Sequence, residues 1–421
     1  MNLFKRVLYP ILLLLSIQVS FTNQYFLIEM DESQTDHLRA YGLAYFALEQ
    51  SHKVQWLLNF KGGSFLMPYT ENLLLQATLY GVSGIVIDES TKQQIDAIIE
   101  KNNMGKVQLE KAPKIAVYTQ KSSDPWDDAV TLVMNYAKIP YDKLWNEEVL
   151  AGKLFDYDWL HLHHEDFSGQ YGKFYRSFKN APWYLKKVQL FRKLSKEAGY
   201  NSVQTWFGDV AKMVQEYVSK GGFMFAMCSA TDSIDVGLAS LSLDIVDPRI
   251  DGTPISKNIQ KRLDFRQTLA FENFTLDLDP NVYEFSTIDV SLYENRFHPE
   301  REDFELFEFS AKFDPIPAML NQNHRHVVKG FLGQTTSFSG KVLKPSVIKL
   351  GKTIDKDVYK YIHGRFGKGT FSFYGGHDPE DFSHAVSDPP TDLKLHKNSP
   401  GYRLILNNIL FPAAKPKPRK T

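Results

Sequence analysis

The chain has 421 residues, 43% of them hydrophobic and 14% aromatic, and its 49 Lys+Arg balance its 49 Asp+Glu. That length holds two or three domains with full cores, the apolar content excludes a disordered chain, and zero net charge excludes an overall pull toward nucleic acid or acidic lipid. A single cysteine, Cys228, excludes an intrachain disulfide framework and a Cys-rich zinc module.

Met1 to Arg6 is short and basic, Val7 to Val19 is strongly apolar, and Ser20, Phe21 and Thr22 follow. This is the layout of a secretory signal peptide over residues 1–22, with an apolar region shorter than a membrane span. The expectation is an exported protein of the periplasm or cell envelope, with a mature form that does not span the membrane. The bulky Phe21 spoils the cleavage site and makes an uncleaved N-terminal anchor the alternative.

Residues 23–111 alternate two patterns. Tyr25 to Met30, Val54 to Phe60 and Gly84 to Asp88 read as strands, while Gln34 to Gln50, Glu71 to Leu79 and Gln93 to Lys101 carry helical spacing. Such alternation predicts a small α/β unit with a parallel sheet. The loops Asp31-Glu32-Ser33 and Lys61-Gly62-Gly63-Ser64 would then lie at strand C-terminal ends, where parallel sheets form crevices.

A second βα series fills residues 112–411. Lys114 to Thr119 and Asp158 to His164 read as strands, Pro125 to Lys138 as a helix with Asp124 as its cap, and Thr205 to Ser219 as another helix. Residues 168–200 form an insertion rich in Tyr, Phe and Lys. From about 241 to 360, strand-like segments such as Ser286 to Leu292 and Phe304 to Phe313 occur without helices, which predicts a β-rich insertion. The α/β pattern returns at Gly367 to His377 and closes with a helix at Tyr402 to Leu410. The tail, residues 412–421, is basic and Pro-broken and reads as disordered. The predicted fold class is therefore α/β, with two Rossmann/flavodoxin-like parallel-sheet domains.

Cys228 ends the apolar run Gly222 to Met227 and precedes small and polar residues that can open a helix. Such a strand-to-helix turn is how α/β folds present a nucleophile. His377 and Glu380 end a later strand, and in a parallel sheet these C-terminal ends lie on one side. A thiol needs a base, and the base needs a carboxylate to fix its tautomer.

On these residues, the opening strand 114–119, Gly367-Lys368-Gly369 and Gly376-His377, the region 114–411 resembles the class I glutamine amidotransferase-like superfamily, most nearly its ThuA-type branch. The resemblance implies a Cys-His-Glu triad of Cys228, His377 and Glu380 that cleaves an amide through a thioester. Two departures stand out. Ala226 and Ala230 replace the glycines of the Gly-x-Cys-x-Gly elbow. His377-Asp378-Pro379-Glu380 is one residue longer than His-Pro-Glu, which makes Asp378 a rival orienter. The whole chain, including residues 34–42 and 163–172, is also similar to a bacteroidete-type family labelled asparagine synthetase B. The synthetase motifs themselves are missing: there is no cysteine near the start and no Ser-Gly-Gly-x-Asp-Ser loop.

His161-Leu162-His163-His164-Glu165-Asp166 is the second constellation. Alternation puts His161 and His163 on one face of a strand. His161, His163, His164 and Glu165 are candidate ligands for Zn²⁺ or another divalent metal. In the resembled fold His163, His164, Glu165 and Asp166, with Ser229, line the substrate and oxyanion loop. His324-Arg325-His326 is a weaker pair, and Asp232 and Asp235 read as helix caps. The leading expectation is an exported amidotransferase-like or amide-hydrolysing enzyme that takes a small-molecule or peptide amide and requires no cofactor. The alternatives are a non-catalytic or metal-dependent polar-ligand-binding protein of the same fold, and an envelope scaffold.

Overall fold

The computed structural model describes residues 23–120, 128–290, 298–314, 316–320, 325–355, 357–385 and 388–414. The signal-peptide reading of residues 1–22, Asp124, Pro125, His324 and residues 415–421 of the tail lie outside them. Among the described residues no helix is long and apolar enough to cross a membrane.

Two sheets organise the chain. The smaller contains β1 (Gln24–Ile28), β2 (Val54–Leu58), β3 (Ser64–Pro68), β4 (Ile85–Asp88) and β5 (Gly105–Leu109) in the order β4-β1-β3-β2-β5. Every pairing in it is antiparallel. This corrects the parallel sheet expected for residues 23–111. The cause is local: β2 turns straight back into β3 as a hairpin. Asn59, Lys61, Gly62 and Gly63 take positive φ there, a conformation that glycine adopts without Cβ cost. The Lys61-Gly62-Gly63-Ser64 loop is therefore a tight turn, as a glycine pair most often marks, and Ser64 to Pro68, which the alternating pattern left unassigned, is a strand.

The larger sheet holds β6 (Ile115–Tyr118), β7 (Asp142–Leu144), β8 (Trp159–Leu162), β9 (Phe223–Met227), β10 (Phe304–Leu306), β11 (Val327–Val328), β12 (Phe338–Ser339), β13 (Ile348–Thr353), β14 (Val358–Phe366) and β15 (Gly369–Tyr374). Its order is β11-β10-β13-β14-β15-β9-β8-β6-β7, with β12 beside β14. The run β7-β6-β8-β9-β15 is parallel, and the strands beyond β15 are antiparallel. The sheet is mixed, and the fold is α/β in this broad sense. The region 241–360 extends this sheet with β10 to β13 and the first residues of β14, and much of the rest is irregular. Of Ser286 to Leu292, the described part makes only isolated bridges, such as Asp289 with Phe338. The tail is also ordered further than expected: the Ala413 carbonyl accepts from the Glu110 N–H, and Ala414 bridges Leu109.

Helices form where caps meet apolar stripes. Asp36 caps His37–Glu49, Asp128 caps Ala129–Ala137 and Ser399 caps Pro400–Leu410, each accepting from a backbone N–H of the first turn. These three helices lie between the sheets in one continuous core with Trp56, Phe65, Trp159 and Phe225. The other face of the large sheet packs on Val203–Lys220 and Ala230–Ala239 through Phe207, Val214 and Ile234. Helix Glu89–Lys101 covers the outer face of the small sheet through Ile95 and Ile99.

Candidate metal centre at the strand ends

Strands β8, β9 and β15 are neighbours in parallel register, with Leu162 opposite Ala226 and Met227 opposite Tyr374. Their C-terminal ends deliver His163, Cys228 and His377 to one place. The Cys228 N–H donates to the Gly376 carbonyl (3.1 Å), and the Ala230 N–H donates to the His163 carbonyl (3.0 Å). Cys228 takes a φ of 50°. This left-handed conformation is strained for a residue with a side chain, and such strain concentrates at functional sites. The strain falls on Cys228 alone. Ala226 stays in the strand ladder and Ala230 opens the helix, which is why neither position needs glycine.

Four rings crowd this point. His163 lies 4.1 Å from His164 and 4.7 Å from His377, centroid to centroid, and His164 lies 4.8 Å from His377. His384 stacks on His377 at 4.8 Å with 12° between planes. A ring nitrogen of His163, one of His164 and the Cys228 sulfur all lie within 4.8 Å of one another. His377 is 7% exposed and His163 2%. Among the described residues neither nitrogen of His377 has a hydrogen-bond partner, and those of His163 lack an aligned one. Burial, and then the neighbouring imidazoles His163, His164 and His384, hold His377 far below the usual range, so its ring is neutral.

The expected orienters do not serve His377. The Glu380 carboxylate pairs with His396 Nδ1 at 3.0 Å, and Asp378 accepts from the Tyr402 hydroxyl at 2.8 Å. The extra residue in His377-Asp378-Pro379-Glu380 carries both carboxylates past the ring. The carboxylate at the centre is instead Asp128. Its oxygens stand 2.9 Å from His161 Nε2 and 3.2 Å from His163 Nδ1. Burial pushes Asp128 up, but the two imidazoles outweigh it and hold the carboxyl well below the usual range. Asp128 caps helix Ala129–Ala137, so this helix starts four residues later than the Pro125 start, with Asp124 as cap, that the sequence suggested, and Asp128 itself was not singled out.

His161 faces the core, as alternation predicts. Both its nitrogens are engaged, by the Phe225 carbonyl (3.2 Å) and by Asp128. A ring nitrogen of His161, a carboxylate oxygen of Asp128 and a ring nitrogen of His163 also lie within 4.8 Å of one another, a second group that could hold a metal. Glu165 accepts from the His163 N–H at 2.6 Å, and burial raises its carboxyl to about 7. Asp166 accepts from the backbone of Ser168 and Gly172 and shapes the loop. Asp235 holds the N–H groups of Leu269, Ala270 and Phe271 at 2.6–2.9 Å, and Asp232 accepts from Ser286. Both anchor the following segment where capping was expected. His326 is exposed.

The Gln334 N–H donates to the Cys228 sulfur at 3.3 Å. Burial pushes the thiol up to about 11, against backbone donors of Gln334, Ser229 and Thr335 that pull it down. A cavity of about 230 Å³ opens beside the cluster, walled by His163, His164, Glu165 and Asp128 together with Tyr118 and Lys187. Cys228 and His377 are not on its wall.

No family model matches the chain, and no curated protein matches it. Among solved structures, two cytoplasmic proteins of Salmonella typhimurium are similar at 11% identity over 72% of this chain. They are covered over 99% and 100% of their lengths, with TM-scores of 0.35 and 0.36. A catalytic mutant of a GH42 beta-galactosidase from G. stearothermophilus is similar at 11% identity over 63% of this chain and 27% of its own, with a TM-score of 0.25. Likeness at these scores bears on neither fold nor activity.

Proposed function

We propose that the chain is a metal-dependent enzyme, hydrolytic in type, built on a glutamine amidotransferase-like scaffold and acting on a small polar substrate in the cavity beside His163 and His164. The ligands are His163, His164, His377 and Cys228. The observation that carries this reading is His377, a buried neutral imidazole with no partner for either nitrogen among the described residues, ringed by three further imidazoles. An unsatisfied buried polar group costs about 1–3 kcal/mol, and a shared cation satisfies several at once. Imidazole and thiolate suit Zn²⁺. Tetrahedral zinc holds its donors roughly 3.3–3.8 Å apart, and three of these donors, on His163, His164 and Cys228, already lie within 4.8 Å of one another, with the His377 ring 4.7 Å and 4.8 Å from those of His163 and His164. A divalent cation there polarises a carbonyl and acidifies water. Asp128 fixes the His163 ring, the Gln334 N–H supports the sulfur, and Glu165 lies on the cavity wall within reach of substrate protons.

The thiol reading keeps one specific support. The strained Cys228, a nearby His163 nitrogen and Asp128 behind that ring make a Cys-His-Asp arrangement. Against it stand a thiol pushed up to about 11 and a sulfur that does not line the cavity.

Zinc loading followed by dialysis and metal analysis tests the proposal. Wild type should retain about one equivalent, and His377→Ala and Cys228→Ser should each lose most of it while circular dichroism stays native. A wild-type protein that retains no zinc, cobalt or manganese overturns it.

A further inference from the structure

We infer that Lys187 is the anion-recognition residue of this cavity, so that the substrate carries a carboxylate that lies against the Lys187 ammonium. The inference rests on the reading of the cavity as the substrate site.

Lys187 belongs to helix Pro182–Glu197 of the aromatic insertion. Its ammonium lies 5.6 Å from the Phe191 ring centroid and 5.9 Å from that of Phe174. It lines the same cavity as His163 and His164. Burial pushes its pKa down, against the pull of Asp166 and Glu165. A half-buried ammonium is retained where it has a counter-charge. The described carboxylates on the cavity wall are engaged by other donors. Asp166 is held by the N–H groups of Ser168 and Gly172, Asp128 by two imidazoles, and Glu165 by the His163 N–H. Among the described residues none of them comes within ion-pair distance of Lys187. Among the described residues the ammonium thus reaches the cavity without a carboxylate at ion-pair distance, drawn only from farther off by Asp166 and Glu165.

The rest of the wall agrees with a small organic anion. Tyr118 stacks on Trp145 at 4.9 Å, and both line the cavity with Phe191 and Phe207. These rings exclude water around the ammonium and strengthen its attraction for a carboxylate. A volume of about 230 Å³ equals roughly eight waters and admits a four-carbon acid.

The test compares succinate, its uncharged analogue succinamide and the single carboxylate acetate by calorimetry on zinc-loaded and zinc-free protein, with metal content measured in the same samples. Succinate should bind wild type, and Lys187→Met should weaken it by about tenfold to a hundredfold, the worth of a charge-assisted hydrogen bond. Lys187→Arg should stay within a few fold, and on zinc-free protein the binding of acetate, whose one carboxylate meets the same ammonium, should weaken in Lys187→Met as that of succinate does. Equal binding of succinamide and succinate, or unchanged succinate binding in Lys187→Met, overturns the inference. Absence of zinc in wild type overturns the metal reading alone, because the Lys187 comparison is then read on the zinc-free protein.

Discussion

Asp128 stands 3.2 Å from His163, carboxylate oxygen to ring Nδ1, at the foot of the histidine cluster. One side chain thus caps helix Ala129–Ala137 and fixes the ring that faces the cavity. Asp128→Asn preserves the cap, since asparagine is as good an N-cap, but removes the charge behind the ring. Zinc affinity should fall about tenfold to a hundredfold with little change in melting temperature. Unchanged affinity by competitive chelator titration would count against a positioning role.

Cys228 should react slowly. It is buried, and its thiol is pushed up to about 11, so little thiolate exists at neutral pH. Iodoacetamide should label the native protein far more slowly than a free thiol, and the unfolded protein promptly. Zinc should slow the native reaction further. Fast native labelling, followed by mass spectrometry, would favour the thiol nucleophile over the metal centre.

His37 should make the fold sensitive to mild acid. Its Nε2–H donates to the carbonyls of Met30 and Asp31 at 2.9 Å. Burial first, and then the Arg403 guanidinium, lower it to about 4. The folded value lies below the unfolded one of about 6.5, so the unfolded chain binds the extra proton. Stability is therefore full above about pH 6.5 and declines as pH falls toward 4, by up to about 3 kcal/mol. His37→Gln should flatten the difference between urea midpoints at pH 7 and pH 4.5. A parallel pair of curves would refute the assignment.

Gly42 sets the approach of two helices. A Cβ there would meet the Ala137 carbonyl oxygen at 1.8 Å. Alanine improves helix propensity by about 1 kcal/mol, but overpacking against backbone costs about 1–3 kcal/mol or more. Gly42→Ala should therefore lower stability in chemical denaturation, and a gain would show that the helices slide apart freely.

Much of the parallel half of the large sheet was legible because its strands are apolar runs separated by helical spacing. Trp159 to Leu162, Phe223 to Met227 and the segment after Gly369 announce themselves in this way, and they place His163, Cys228 and His377 together. The small sheet was misread because alternation of strand and helix does not encode strand direction. Direction there depends on backbone dihedrals at Asn59 to Gly63, which composition barely marks. Within the centre, residue types were legible and partnerships were not. Glu380 and His377 are three residues apart yet diverge, whereas Asp128 and His163 are 35 apart and meet. Lys187 gave no signal in the sequence, since a lysine on an amphipathic helix ordinarily faces water.

The order β8-β9-β15 has a consequence for biosynthesis. His163, His164 and Cys228 are made in the first 228 residues, but His377 waits for β15, after the whole 241–360 region has been threaded. A nascent or truncated chain ending before Gly369 leaves β9 with an open edge and only a partial ligand set. On the proposed metal reading, a chain stopped before β15 would capture the cation more weakly than one that has completed its sheet.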